Sequence, residues 1–174
     1  EKAILAGITI VTLFPSILLL LGLLEIVQAL KLSNNYLALI ITYTAINLPL
    51  TILVMRSFFQ QLPRDLEDAA KVDGYSTWQM LIQILLPLTL PALVTTGILT
   101  FIFAWNEFIF ALTFITRDDL KTIPVMAAQL GGASNFEIPY GPIAAATVIG
   151  TFPLVVLVLF FQRKIVQGLT AGAV

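Results

Sequence analysis

Apolar residues along the chain are gathered into four long runs, which cover about residues 3–24, 36–55, 88–115 and 142–162. A helix needs roughly 20 consecutive apolar residues to cross the hydrocarbon core of a membrane, and each run is long enough. The runs contain Leu, Ile, Phe and Ala without the alternating polar pattern of barrel strands. Because a helix satisfies its backbone polar groups internally, the pattern predicts an all-α, polytopic membrane protein with four spans.

The composition excludes most other classes of protein. Hydrophobic residues make up 59% of the 174 residues, charged residues only 11%, and the mean hydropathy is +0.98, whereas a soluble domain has about 25% charged residues. The absence of Cys and His removes disulfides, thiolate metal sites and the usual near-neutral acid–base group. A net charge of −1 gives no basic surface for nucleic acid. We therefore expect a non-enzyme in membrane lipid that binds no metal, no other cofactor and no nucleic acid.

Basic residues predict how the spans are oriented. With four spans, both termini and the connection at 57–87 lie on one side of the membrane, and the connections at 25–35 and 116–141 lie on the other. The first side carries Lys2, Arg56, Arg64, Lys71, Arg163 and Lys164, and the second carries Lys31, Arg117 and Lys121. This bias predicts cytoplasmic termini, a cytoplasmic 57–87 connection and an external 116–141 loop.

The cytoplasmic connection has the local signals of two short helices joined by a corner. Pro63 and the acidic residues after it are typical of a helix start, where acids complement the helix dipole. Gly74 accepts the left-handed conformation that is needed just past a helix end. Ser76 and Gln79 fit a capping box that begins a second helix running towards Pro87.

The first of these two helices is predicted to be amphipathic. Glu67 and Lys71 have the spacing of an i, i+4 ion pair on its polar face. The apolar face consists of Leu62, Leu66, Ala69 and Ala70. Its two alanines allow another surface to approach closely, as a docking helix requires, and the alternative is an ordinary solvated loop.

The spacing of residues in this connection resembles the EAA signature of permease subunits in binding-protein-dependent ABC importers. That signature is Glu-Ala-Ala, three residues, Gly, nine residues, Ile, one residue and Leu-Pro. The matching residues are Asp68-Ala69-Ala70, Gly74, Ile84 and Leu86-Pro87, with Asp68 in the place of the Glu. The stretches LPRDLEDAAKVDG, FAWNEFIFAL and FQRKIVQGLTAGAV are similar to the second permease subunit of the carbohydrate-uptake branch, the maltose/trehalose type.

The resemblance implies a type I ABC importer permease fold in the plasma (inner) membrane of a bacterium or archaeon. Family members usually have six spans, of which this chain would hold the last four. Since it begins with Glu rather than Met, we expect a processed or truncated chain. The implied partners are a second related permease, a dimer of cytoplasmic ATP-binding subunits and an extracellular or periplasmic solute-binding protein. ATP and Mg would be bound by the partner subunit.

The resemblance also assigns roles to residues. The cytoplasmic connection would be the family's coupling helix, which docks on the ATP-hydrolysing subunit, through Glu67, Asp68, Ala69, Ala70, Asp73, Gly74 and Tyr75. The external loop matches a loop that touches the sugar-binding protein, through Gly131, Gly132, Asn135 and Tyr140. A structural Gly/Pro turn is the alternative for this loop. The tail at 167–172 resembles the family tail that reaches the ATPase dimer, with a frayed terminus as the alternative.

Polar residues inside the predicted spans are candidates for the substrate path, because they are costly in lipid. They are Trp105, Asn106 and Glu107 in the third run, with Tyr43, Thr44 and Asn47 in the second run as weaker candidates. The Glu107 carboxylate can bond a sugar hydroxyl, and the Trp105 ring can stack on a sugar. Alternatively, the polar residues bond neighbouring helices and Trp105 is an interfacial anchor.

Together these features predict the non-catalytic permease subunit of an ATP-driven importer, working by alternating access on a disaccharide or similar oligosaccharide. Two alternatives remain open. A subunit of an ion-coupled secondary transporter would need an intramembrane acid, for which Glu107 is the candidate. A structural membrane subunit of a complex would use the coupling residues for assembly alone.

Overall fold

The computed structural model describes residues 2–131 and 139–171, with side chains described as far as residue 162. Every regular element in these ranges is helical, which confirms the all-α class. The main helices are α1 (Lys2–Leu13), α2 (Ser16–Ala29, which opens with the 3-10 turn Ser16–Leu19), α3 (Tyr36–Gln61), α4 (Asp65–Val72), α5 (Thr77–Leu88, with a π turn at Leu81–Leu85), α6 (Leu90–Asn106), α7 (Ile109–Phe114), α8 (Ile123–Leu130) and α9 (Tyr140–Ala171). A further 3-10 turn covers Asp118–Leu120.

Two of these helices are long and apolar enough to cross a membrane by themselves. They are α3 and the stretch Tyr140–Gln162 of α9. Two bent pairs satisfy the same requirement when each pair is taken together: α1 with α2, bent by 88°, and α5 with α6, bent by 72°. By length and composition, the described residues therefore hold two to four membrane-crossing segments.

Both bends have local causes. Pro15, between α1 and α2, has extended backbone with ψ 112° and no N–H to continue a helix. Thr89, between α5 and α6, is buried, and its hydroxyl donates to the carbonyl oxygens of Leu85 and Leu86, each at 3.1 Å. The hydroxyl thus satisfies carbonyls at the end of α5, and Pro91 in the first turn of α6 starts the next helix.

The helices divide two of the predicted spans. The run predicted at 3–24 is broken by the 88° bend, and its second helix continues to Ala29. The run predicted at 88–115 gives α6, which ends at Asn106, and the separate six-residue helix α7. The break follows from Glu107, whose backbone is extended at φ −67° and ψ 130°. Apolar composition predicts that these residues lie in the membrane, but it does not predict where the chain bends.

The buried core lies at the end of the molecule that is predicted to be external, where α2, α3, α7 and α8 meet. Its members are Val27, Ala38, Leu39, Phe110, Ala111, Phe114, Ile115 and Val125. Asn34 lies in the turn before α3, and its backbone has a left-handed φ of 58°. Its side chain joins this turn to residues 116 and 117 by hydrogen bonds. Its Oδ1 accepts from the backbone N–H groups of Thr116 and Arg117 at 2.7 and 2.8 Å, and from the Thr116 hydroxyl at 3.1 Å.

Candidate functional site

The predicted cytoplasmic connection folds as its local signals indicate. α4 begins just after Pro63, with three acidic residues in its first turn, and Gly74 beyond its end has a left-handed φ of 80°. The capping box is present: the Ser76 hydroxyl accepts from the Gln79 backbone N–H at 3.3 Å, and the Gln79 side-chain oxygen accepts from the Ser76 N–H at 2.9 Å. The helix, corner and helix of this connection are therefore confirmed.

The two alanines of α4 have different surroundings. Ala70 is 2% exposed within this chain, and its carbonyl accepts from the Tyr75 N–H at 3.0 Å, which closes the corner. Ala69 is exposed, so it is the one whose methyl group is available to another protein. On the polar face Lys71 pairs with Asp68 at 3.3 Å, whereas the sequence spacing predicted Glu67. That pair is largely solvent-exposed and adds little stability.

Large apolar side chains are exposed around the same corner. Val72 is 88% exposed and Trp78 is 71% exposed, and Tyr75 between them is also exposed. Of these three residues, only Tyr75 is among the predicted coupling residues. Val72 and Trp78 could have been found as isolated apolar residues in a charged, solvent-facing segment. Exposed apolar side chains that cluster together are typical of a binding surface.

The Glu107 carboxylate is bonded within the chain. Its Oε2 accepts from the Tyr43 hydroxyl at 2.6 Å and from the Ala111 N–H at 3.0 Å, and its Oε1 accepts from the Phe110 N–H at 2.9 Å. Glu107 therefore caps the first turn of α7 and ties it to α3, 64 residues away in sequence. This geometry matches the alternative that intramembrane polar groups join helices.

The other substrate-path candidates differ in their hydrogen-bond partners. The Trp105 indole N–H donates to the carbonyl of Gly150 at 2.8 Å, which links α6 to α9. Asn106 is exposed, and its amide donates to the Ile102 carbonyl of its own helix at 2.8 Å. Asn47 likewise donates to the Tyr43 carbonyl at 2.8 Å. Trp105 thus has a structural partner, and the residue is neither buried nor fully exposed.

Trp105 lines two cavities. The first has a volume of about 240 Å³ and is lined by the Trp105 ring, Tyr36, Lys121 and Thr122 among others. The second, of about 140 Å³, is lined by Trp105 and Asn106 together with residues of α8 and α9. Trp105 and Asn106 are therefore the substrate-path candidates that the structure brings to one cavity.

The candidates of the external loop are only partly described. Gly131 directly follows α8, and a Cβ there would lie 3.6 Å from the Ala128 carbonyl oxygen. Tyr140, the first residue of α9, is 74% exposed. Gly132 and Asn135 lie outside the described residues, as do the side chains of the 167–172 tail. Within the described ranges, no group of three or more acidic side chains is placed to hold a metal ion.

Comparisons with known proteins agree on one family. The family model described as "Binding-protein-dependent transport system inner membrane component" matches residues 1–171. The trehalose transport system permease protein of Mycobacterium tuberculosis is 42% identical over 174 residues, which are all of this chain and 64% of that protein. The trehalose/maltose transport system permease protein of Thermococcus litoralis is 47% identical over 162 residues, 93% of this chain and 58% of that protein.

A third relative has a different named substrate. The sulfoquinovosyl glycerol transport system permease protein of Agrobacterium fabrum is 43% identical over 169 residues, 97% of this chain and 59% of that protein. The chain therefore spans 58–64% of the length of these three curated relatives.

Proposed function

The chain belongs to the family of binding-protein-dependent transport system inner membrane components, and from this membership we propose that it is the permease subunit of an ATP-driven sugar importer. The observation that carries the proposal is the coupling signature: Asp68 and Ala69 are exposed on α4, and Gly74 forms the corner beyond it. The relatives named for trehalose, maltose and sulfoquinovosyl glycerol transport support glycosides as the substrate class. Within that class, we propose a disaccharide or similar oligosaccharide.

We propose that α4 transmits movement from a dimer of cytoplasmic ATP-binding subunits, which bind ATP and Mg. α4 follows the end of α3 after a short turn and joins α5 through the Gly74 corner. A displacement of α4 would therefore move both α3 and α5. α5 in turn changes direction into α6 at the 72° bend near Thr89. The exposed residues Val72, Tyr75 and Trp78 supply the apolar contact with the ATP-binding subunit, and Glu67, Asp68 and Asp73 surround it with charge.

On the external side we propose contact with a solute-binding protein through the loop that contains Gly131, Gly132, Asn135 and Tyr140. A second related permease completes the translocation path, into which Trp105 and Asn106 face through the cavities that they line. Both termini are then cytoplasmic. Asn47 and Glu107 keep a structural role in this proposal, since their side chains are bonded inside the chain.

The geometry of Glu107 favours this proposal over an ion-coupled transporter. A coupling acid must exchange a proton or bind an ion during the cycle, and three donors already occupy the Glu107 carboxylate. An importer driven by ATP needs no such exchange.

The test is sugar uptake by the full-length protein, reconstituted into liposomes with its partner permease, ATP-binding subunits and solute-binding protein. Radiolabelled trehalose and maltose are supplied outside, and ATP and Mg inside. We expect uptake that requires enclosed ATP and the solute-binding protein and that persists with a protonophore. Uptake that needs an ion gradient instead of ATP would overturn the proposal. A complex that assembles normally and moves neither glycoside would restrict the chain to another solute or to a structural role.

A further inference from the structure

A cavity at the predicted external end of the molecule combines aromatic and polar side chains. Its volume is about 240 Å³, and its lining includes Tyr36 at the start of α3, Trp105 near the end of α6, and Lys121 and Thr122 just before α8. Pockets for drug-sized ligands have about 300–1,000 Å³, so this cavity fits a smaller molecule or one ring of a larger one. A solute that arrives from outside would meet it early.

The Trp105 ring in this cavity is held in one orientation by the rest of the chain. Its indole N–H donates to the Gly150 carbonyl at 2.8 Å. Its ring also packs on the Phe101 ring, with centroids 5.3 Å apart and planes at 28°. A fixed aromatic ring offers apolar contact area at a low cost in conformational entropy. The C–H groups of a pyranose ring form an apolar face that packs on such a surface.

Lys121 brings a hydrogen-bond donor to the same cavity. Its side chain is only 9% exposed, and its Nζ donates to Asp118 Oδ1 and, at 2.7 Å, to Gln129 Oε1. An ammonium group has three N–H donors, so these two bonds within the described part of the chain leave one donor for a ligand. Because the Asp118 carboxylate already balances the positive charge, the cavity favours a neutral ligand with hydroxyl oxygens over an anion.

Thr122 adds a polar group that has no hydrogen-bond partner among the described residues. Its hydroxyl oxygen is nevertheless buried. A buried polar group without a partner is rare and calls for an explanation. The residue as a whole is partly exposed and lines the cavity, so a change of rotamer about its Cα–Cβ bond would turn the hydroxyl towards a ligand.

We propose that this cavity is an outer subsite that binds one pyranose ring of the transported glycoside. Trp105 and Tyr36 contact the C–H groups of the ring, and Lys121 and Thr122 bond its hydroxyls. Aromatic side chains with a few polar groups that converge on them are typical of a small-molecule site. The subsite rests on the proposed function, which supplies the glycoside, and it adds Tyr36, Lys121 and Thr122 to the residues that contact the sugar.

The experiment measures protection of a single thiol by sugar, since residues 1–174 contain no Cys. Ala104 lines the cavity, so Ala104→Cys is made in the full-length protein, and the assembled transporter is placed in liposomes without solute-binding protein or nucleotide. Labelling of that peptide by a small thiosulfonate reagent is followed against methyl α-glucopyranoside, a single-ring probe. At about ten times its dissociation constant, the sugar should slow labelling roughly tenfold. Glycerol at equal concentration should not, and neither should the sugar slow labelling of Val148→Cys, which is exposed in a groove of α9.

Two further changes test the polar contacts. Lys121→Met and Thr122→Val nearly preserve the size of each side chain, and each should raise the sugar concentration for half-protection roughly fivefold, as the loss of one hydrogen bond predicts. Gln129→Leu is the matched control for Lys121→Met, because it removes an internal bond of Lys121 without changing the lining of the cavity. It should leave protection unchanged. Thr122→Val should also leave the unfolding midpoint unchanged, because the hydroxyl has no partner to lose.

Uptake of trehalose and maltose by the same complex, with solute-binding protein and ATP, separates the subsite from the proposed function. Uptake without protection of Ala104→Cys would refute the subsite and leave the importer standing. Absence of both uptake and protection would count against both. The subsite would also be overturned by equal protection from glycerol, by an equal loss in Gln129→Leu, or by full protection in the Lys121→Met/Thr122→Val double variant. If Lys121→Met fails to assemble, Thr122→Val decides the question.

Discussion

The Glu107 carboxylate holds three donors from two helices, and its replacement by Gln measures what that arrangement contributes. Gln has one carbonyl oxygen and no negative charge, so it cannot accept from Tyr43, Phe110 and Ala111 as the carboxylate does. We expect Glu107→Gln to lower the free energy of unfolding by about 1–3 kcal/mol, because buried donors lose their acceptor. The measurement is thermal or SDS-induced unfolding of the purified protein in detergent.

The matched control for this change is Glu25→Gln, since Glu25 is an exposed carboxylate on α2. It should leave the unfolding midpoint nearly unchanged. A double-mutant cycle with Tyr43→Phe then isolates the bond between Tyr43 and Glu107, and the two changes should not add. Equal shifts in Glu25→Gln and Glu107→Gln, or strict additivity in the cycle, would contradict the role that we assign to this carboxylate.

Asn34 is a second residue whose side chain organises a turn. Asn34→Ala removes an acceptor shared by three donors of residues 116 and 117, and it leaves Ala at a φ of 58°. We expect a loss of about 3 kcal/mol of unfolding free energy, whereas Asn34→Asp, which keeps the acceptor, should cost far less. Asn35→Ala is the control: Asn35 caps α3 through a single bond of 2.9 Å to the Leu37 N–H, and its loss should cost about 1 kcal/mol. Similar unfolding midpoints for Asn34→Ala and Asn35→Ala would contradict the stabilising role that we assign to the Asn34 side chain.

At the scale of the element, the Gly74 corner permits a test that separates folding from coupling. A Cβ at Gly74 would meet nothing within 4 Å, although its φ is 80°. Gly74→Ala and Gly74→Trp should therefore both fold, each with a backbone cost of about 1–2 kcal/mol. In the assembled transporter we expect Gly74→Trp alone to abolish sugar uptake while ATP hydrolysis continues, because its side chain occupies the docking surface. Gly74→Asn, which tolerates the left-handed conformation, should retain uptake.

The readouts for this series are uptake and ATP hydrolysis per assembled complex in liposomes. Full uptake by a well-assembled Gly74→Trp variant would refute docking at this corner. Impaired assembly with normal flux per assembled complex would support a purely structural subunit.

The same element shows what the sequence could predict and what it could not. The start of α4, the glycine corner and the Ser76–Gln79 capping box were predicted, because each depends on residues within a few positions of one another. The hydrogen bond between Tyr43 and Glu107 was not predicted, since it joins residues 64 positions apart. Each of the two apolar runs contains several polar residues, and the sequence does not indicate which of them face each other. The bend at Thr89 was missed for a related reason: a threonine hydroxyl that bonds helix carbonyls gives no signal in hydropathy.

Across the whole molecule, buried residues are distributed unevenly among the helices. The core is concentrated where α2, α3, α7 and α8 meet, whereas no residue in the most apolar window of α9 is buried within this chain. α9 nevertheless packs against α6 and α8, and the bond from Trp105 to the Gly150 carbonyl is one of its contacts with α6. A sequence cannot rank such contacts, because small and apolar residues occur all along α9.

The contact at Gly150 yields a prediction about how α6, α8 and α9 are held together. A Cβ at Gly150 would lie 3.0 Å from the Cγ2 of Ile123, so a larger residue must displace the Ile123 side chain or move α8 away from α9. We expect Gly150→Leu to cost about 1–3 kcal/mol of unfolding free energy and to weaken the Trp105 bond. Ile123→Ala should recover part of this loss by making room, whereas Gly141→Leu, at a position with nothing within 4 Å, should have little effect. The measurement is the unfolding midpoint in detergent together with Trp105 fluorescence. If Ile123→Ala and Gly150→Leu were simply additive, close packing between α8 and α9 would not be what holds α9 in place.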